Sequence, residues 1–150
     1  MTDTRTALQV WLEILSCRKR VEAQLRGLMR DRYDSTLPRF DVAAALYRHP
    51  DGLPMSEIAR HLMVTKGNIT AIAAPLEAEG IIERVANTHD RRSQIMRLTP
   101  YGRRAFAARA RVHERWIGEL FADLDADELA TLARLLTKLN GSVDRATDPS

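Results

Sequence analysis

The chain of 150 residues contains one cysteine, Cys17, so it has no intramolecular disulfide and no cysteine-based zinc site. Its four histidines, His49, His61, His89 and His113, stand far apart without HExxH or comparable spacing, and no metal site is expected. A Gly-rich phosphate loop is missing, as is any nucleophile spaced with a base. No catalytic residue and no cofactor can be nominated, and enzymes drop out of the expected functions. Aromatic side chains make up only 5%. Leu, Ala and Ile supply most of the apolar mass, which suits helices packed on helices rather than a β-sandwich. No uncharged apolar run approaches the ~20 residues that cross a bilayer, and the start of the chain lacks a basic-then-apolar signal. A cytoplasmic protein without a membrane partner is expected.

What is present is 45% hydrophobic and 29% charged residues, the balance of a single globular domain. The net charge of +3 mildly favours an anionic partner, and its distribution says more. Between residues 60 and 104, Arg60, Lys66, Arg84, Arg91, Arg92, Arg97, Arg103 and Arg104 outnumber the carboxylates by four. The stretch from Ala122 to Ser150 is acidic, with six carboxylates against Arg134, Lys138 and Arg145. A basic band beside an acidic end implies a division of labour along the chain.

Hydrophobic spacing supplies the elements. Leu8, Trp11, Leu15, Val21, Leu25 and Leu28 recur at helical intervals, predicting one long helix over 5–32 that a small domain cannot cover along its length. Thr36 with Pro38 just inside opens a second helix, and "HPDGLP" closes it with turn chemistry. Ser56 suits the start of a short helix bearing Ile58, Ala59 and Leu62. After Met63 and Val64, Thr65 caps another with Ile69, Ile72, Ala73 and Leu76 on one side and Gly80 at its stop. This pair has the form of a helix-turn-helix. Pro75 removes a backbone donor and crowds the carbonyl of Ala71, so a bend or local irregularity is expected near residues 71–75 with the first turns preserved.

"IIERV" and "SQIMRL" read as two strands around the polar loop "ANTHDRR", an exposed β-hairpin. Thr99 and Pro100 then start a helix with Phe106, Ala110, Ile117, Leu120 and Phe121 on its apolar side. Asp125 and Glu128 form a capping pair, with Leu124 and Leu129 placed as a hydrophobic staple. Leu129, Leu132, Leu136, Leu139 and Val143 follow as a stripe, and the polar end "RATDPS" is expected to fray. The fold class is mainly α with a small two-stranded β-wing. Its end helices carry more apolar surface than one winged lobe covers, so pairing with an identical chain is expected.

The run "MSEIARHLMVTKGNITAIAAPLEAEGIIERVANTHDRRSQIMRLTPYG" resembles the MarR (multiple-antibiotic-resistance regulator) family of winged helix-turn-helix transcriptional regulators. "LPRFDVAAALYRHPDG" before it and "LDADELATLARLL" after it fit as well. The resemblance implies a single domain over 1–150, with a winged lobe at 34–99, dimerisation helices at 5–32 and 100–143, and a disordered tail at 144–150. It further implies a homodimer that represses transcription from a pseudo-palindromic operator in double-stranded DNA until a small molecule binds or a thiol is oxidised.

Under that resemblance Thr65, Lys66, Gly67, Asn68, Thr70 and Ala71 form the base-reading end of the recognition helix. Asn68 suits a bidentate pair with adenine, Thr70 a base edge or phosphate, and Gly67 a close backbone approach. Lys66 and the helix N-terminus suit phosphate. In the wing, Arg91 and Arg92 reach for the minor groove, Arg92 matching the family position better, and Asp90 orients an arginine. An effector pocket is expected from Trp11, Leu15, Arg18, Phe40, Tyr47 and His113, taking an aromatic acid or its coenzyme A thioester. The alternatives are redox sensing through Cys17 beside Arg18, Lys19 and Arg20, and a winged-helix protein-interaction module without DNA binding.

Overall fold

The computed structural model describes residues 3–90 and 92–147. Two compact units follow one another, the first reaching to Glu114 and the second beginning at Arg115.

The first unit opens with helix α1 (Thr4–Tyr33), whose Asp3 cap accepts from the Arg5 N–H at 3.1 Å. Only Leu25 and Met29 of α1 are buried, while Leu8, Val10, Trp11 and Leu12 remain exposed. Helix α2 (Leu37–Tyr47) starts where expected, with Thr36 Oγ1 accepting from the Arg39 N–H. Helix α3 (Met55–Leu62) departs from expectation at its start. Pro54 is its cap residue and makes no side-chain bond, so Ser56 lies inside the first turn. The cause is a strand unseen in the sequence, β1 (Leu53–Pro54), which fixes the chain immediately before the helix.

Helix α3 ends at Met63 in the left-handed region (φ 56°), with Val64 N–H bonding back to the Ala59 carbonyl at 3.0 Å. Helix α4 (Lys66–Ala78) follows at once, and the α3–α4 pair is the helix-turn-helix. It continues through Pro75 to Ala78, and its first turns are intact as expected. Ile69, Ala73 and Leu76 are buried at 0%, 0% and 3% exposure, pinning the helix to the core on both sides of the proline.

Strands β2 (Ile82–Ala86) and β3 (Gln94–Leu98) pair antiparallel, Ile82 opposite Leu98 and Ala86 opposite Gln94. This hairpin is the expected two-stranded wing, and Leu53 and Pro54 extend it to a three-stranded sheet by pairing with Met96 and Ile95 on the far side of β3. Gly52 makes this possible. Its φ of 92° is a region that side chains avoid, and an added Cβ would sit 2.6 Å from the Met96 carbonyl oxygen. Val42, Leu46, Ile58, Ile69, Ala73 and Met96 form the fully buried centre beneath the helix-turn-helix.

Helix α5 (Pro100–Leu120) is joined to the wing by Thr99. Its hydroxyl donates to the Gly80 carbonyl at 2.6 Å and accepts from the Gly102 N–H at 2.9 Å. At Gly102 a Cβ would overlap the Ile81 carbonyl.

In the second unit, Asp125 Oδ1 accepts from the Glu128 N–H and Glu128 Oε2 accepts from the Asp125 N–H, both at 2.9 Å, which is the expected capping pair. Helix α6 (Ala126–Thr147) buries none of its residues, and Leu129, Leu132, Leu135, Leu136, Leu139 and Val143 are exposed. It does not stop at 143. Residues 144–147 of the expected tail are helical, where the Thr147 hydroxyl donates to the Val143 carbonyl at 3.1 Å. An i to i+4 bond needs no packing partner. The remainder of that tail, 148–150, lies outside the described residues.

Candidate nucleic-acid interface

Thr65 fixes the start of α4 because its extended backbone (φ −77°, ψ 158°) lets Oγ1 accept from the Asn68 N–H at 3.3 Å. The unpaired amides of the first turn and the positive end of the helix dipole therefore face outward from a defined point. Lys66, Gly67, Asn68, Thr70 and Ala71 are all exposed, as is Thr65 itself. The Thr70 hydroxyl donates to the Lys66 carbonyl at 3.2 Å, which leaves its oxygen lone pairs open to a donor on a ligand.

At 100° per residue these side chains point to two sides of the helix. Lys66, Gly67 and Thr70 line one open groove together with Arg92, Ser93 and Gln94 of the wing and Pro54, Met55 and Ser56 at the start of α3. Asn68 and Ala71 instead border a cleft shared with Arg18, Asp41, Arg48, His61 and Met63. The structure thus brings Arg92 to the same concavity as half of the expected helix contacts. Ser56, Ser93 and Gln94 belong to it too. No sequence signal marked them, since their approach depends on the hairpin register and on β1.

The wing loop is shaped by short polar bonds. Asn87 Nδ2 donates to Ser93 Oγ at 2.8 Å, and Asn87 Oδ1 accepts from the His89 N–H at 3.0 Å. Asp90 Oδ1 accepts from the Arg92 backbone N–H at 2.9 Å, so Asp90 bonds the main chain of Arg92. The Arg92 side chain is exposed. Arg91 lies outside the described residues.

Of the six residues expected to form an effector pocket, Phe40 lines one small cavity and Arg18 a separate cleft. Phe40 lies against His113, ring centroids 4.5 Å apart, and against Phe106 at 5.2 Å, while Tyr47 packs on Phe106 at 5.0 Å. The space around Phe40 and Phe106 is nearly filled, leaving room for about one water. Burial pushes the His113 imidazole below its usual range. Arg18 belongs to the cleft with Asp41 and Arg48. Desolvation there, reinforced by the Glu22 carboxylate, raises the Asp41 carboxyl. Trp11 is exposed and Leu15 half-buried on α1, with neither lining these cavities. Cys17 is exposed.

Among the described residues no group of three His, Cys, Asp or Glu could hold a metal ion, and no described helix is long and apolar enough to cross a membrane.

A helix-turn-helix whose second helix stands beside a three-stranded wing defines a winged helix-turn-helix protein. The sequence pattern of the MarR family matches residues 33–93. Over 110 residues the chain is 34% identical to the multiple antibiotic resistance protein MarR of Salmonella typhimurium, covering 71% of this chain and 74% of that one. Over 116 residues it is 28% identical to the transcriptional activatory protein BadR of Rhodopseudomonas palustris, covering 75% of this chain and 66% of that one, just under two thirds of BadR's length. The crystal structure of the transcriptional regulator BldR from Sulfolobus solfataricus superposes with a TM-score of 0.82 at 23% identity, over 97% of this chain and 99% of that one, a likeness of fold. The chain belongs to the MarR family.

Proposed function

We propose that the chain is a homodimeric, sequence-specific regulator of transcription that binds double-stranded DNA at a pseudo-palindromic operator. The observation that carries this reading is the groove in which Lys66, Gly67 and Thr70, at the capped end of α4, meet Arg92 of the wing. A capped helix end offers amides and a cation to phosphate, its side chains reach base edges in the major groove, and an exposed arginine on a hairpin fits the narrower groove alongside. The names of BadR and of other relatives, as transcriptional proteins, support the same class. Two copies are required because one chain leaves the leucine face of α6 and the apolar start of α1 uncovered. Such a protein acts on DNA in the cytoplasm and performs no catalysis.

The mode we assign is repression relieved by a small organic anion, an aromatic acid or its coenzyme A thioester, with Arg18 and Arg48 supplying positive charge in the cleft that also reaches Asn68 and Ala71 of α4. A ligand that prefers the DNA-incompetent spacing of the lobes would release the operator by shifting the population.

The direct test is selection of duplexes from a random pool by the purified protein, followed by titration at several salt concentrations. A recurrent palindrome with half-sites about one helical turn apart is expected, bound with an affinity that falls steeply as salt rises. A pool without enrichment would remove DNA binding and favour a protein-interaction module. A reporter carrying the selected site then distinguishes repression from the activation that the name of BadR indicates for that relative.

A further inference from the structure

We propose that Glu77, Arg84 and Gln94 form a brace that sets the distance between helix α4 and the wing, making Arg84 a positioning residue for duplex recognition. This rests on the DNA-binding reading above and assigns a task to residues that reading does not use. Glu77 stands in the last turns of α4, Arg84 in β2 and Gln94 at the start of β3. The Arg84 guanidinium sets Nε and Nη2 each 2.8 Å from Glu77 Oε1, and its Nη1 donates to Gln94 Oε1 at 3.3 Å. With all three nitrogens engaged, the plane of the fork is fixed, which a lysine ammonium could not reproduce.

Three features show that the bridge controls position. First, Glu77 lies two residues beyond Pro75, whose missing N–H deprives α4 of one rung of its hydrogen-bond ladder. The turn after the proline has one backbone bond fewer to the turn before it, and the bridge adds a polar tie from that turn to the sheet beside the buried Leu76. Second, Gln94 lines the groove shared by Lys66, Gly67, Thr70 and Arg92, so a shift of the bridge moves a wall of the groove itself. Third, the wing holds a second ion pair, Glu83 with Arg97 at 2.7 Å, directly across the β2–β3 ladder. That pair stays within the hairpin, and Glu77–Arg84 leaves it to reach α4. Both bridges are partly exposed, with side chains of Arg84 and Glu77 at 35% and 30%. Exposed pairs add little to stability, so the geometric role is the one to test.

The experiment compares Glu77→Leu, Arg84→Gln and the swapped pair Glu77→Arg with Arg84→Glu, using the operator selected by the wild-type protein. Glu77→Leu removes a negative charge and Arg84→Gln a positive one, so a simple charge effect on DNA affinity would push the two variants in opposite directions. The brace instead requires both to lose about tenfold in affinity for the selected site over a scrambled one, the scale of one lost specific contact. The swapped pair, in which the Gln94 amide turns to donate, should regain most of that specificity. Glu83→Gln with Arg97→Gln should retain it. Wild-type specificity in both single variants, or a folded swapped pair that regains nothing, overturns the proposal. Amide exchange in the DNA-free protein provides a second reading: the wing amides of residues 85–94 should exchange faster in Arg84→Gln, and unchanged exchange overturns the brace. Faster exchange in a protein that selects no duplex would separate the two ideas, because the brace would stand and the DNA-binding reading would fail with its positioning role.

Discussion

Phe40 lies almost parallel to the His113 imidazole, the two planes 24° apart and their centroids 4.5 Å from each other. Burial lowers the His113 pKa below the usual 6.5. As pH falls through that value the unfolded chain takes up a proton before the folded one does. Stability at this site is therefore whole above pH 6.5 and lost on acidification until the folded imidazole also titrates. His113→Phe keeps a ring against Phe40 and cannot accept a proton. Between pH 7.5 and pH 5 its melting temperature should fall less than that of the wild type, and equal falls in thermal unfolding would exclude His113 as the cause.

Gly102 admits no side chain, since a methyl group there would overlap the Ile81 carbonyl. Gly102→Ala has to push the start of α5 away from the end of the wing, at a cost of about 3 kcal/mol. Chemical denaturation should show that loss, whereas Gly118→Ala, where a Cβ meets nothing within 4 Å, should be neutral or slightly stabilising.

Thr65 caps α4 through Oγ1. Thr65→Ala should cost about 1 kcal/mol, or about 3 °C in melting temperature for a chain of this size, and should also weaken operator binding by loosening the first turn. Thr65→Ser retains the acceptor and should restore both quantities. A serine variant as impaired as the alanine one would point to the threonine methyl group.

Lys66, Asn68 and Arg92 should fail in three different ways when truncated to alanine. Lys66→Ala is expected to weaken all sequences alike and reduce the salt slope by about 1. Asn68→Ala should relax the preference at one or two base pairs per half-site, at about 1–3 kcal/mol. Arg92→Ala should weaken binding most where the flanking sequence is A·T-rich. Parallel titrations on substituted operators separate these patterns, and a uniform loss from Asn68→Ala would make it a backbone contact.

Leu132 and Leu136 are exposed on α6, at 40% and 39%. A double change of both to Glu should shift the protein from dimer to monomer in analytical ultracentrifugation and abolish cooperative operator binding. A dimer that survives would place the interface elsewhere.

Local chemistry was readable from the residues. Thr36, Thr65, Thr99 and the Asp125–Glu128 pair each cap the helix that the sequence led us to expect, because a cap involves neighbours within four positions. Long-range pairings were not. Strand β1 is two residues long, and its partners Met96 and Ile95 lie some forty positions away, so "HPDGLP" shows only its turn. The same limit hid Gln94 and Ser56 from the groove. Pro75 is penalised by helix propensity, yet α4 continues through it with Ile69, Ala73 and Leu76 buried around it.

Thr99 leaves no slack between the stop of one helix and the launch of the next. With its hydroxyl fastened to Gly80 on one side and Gly102 on the other, the root of α5, the tail of α4 and the entry to the hairpin are riveted at a single joint. Any displacement of the first turn of α5 must therefore strain the bond to Gly80 just past the end of α4.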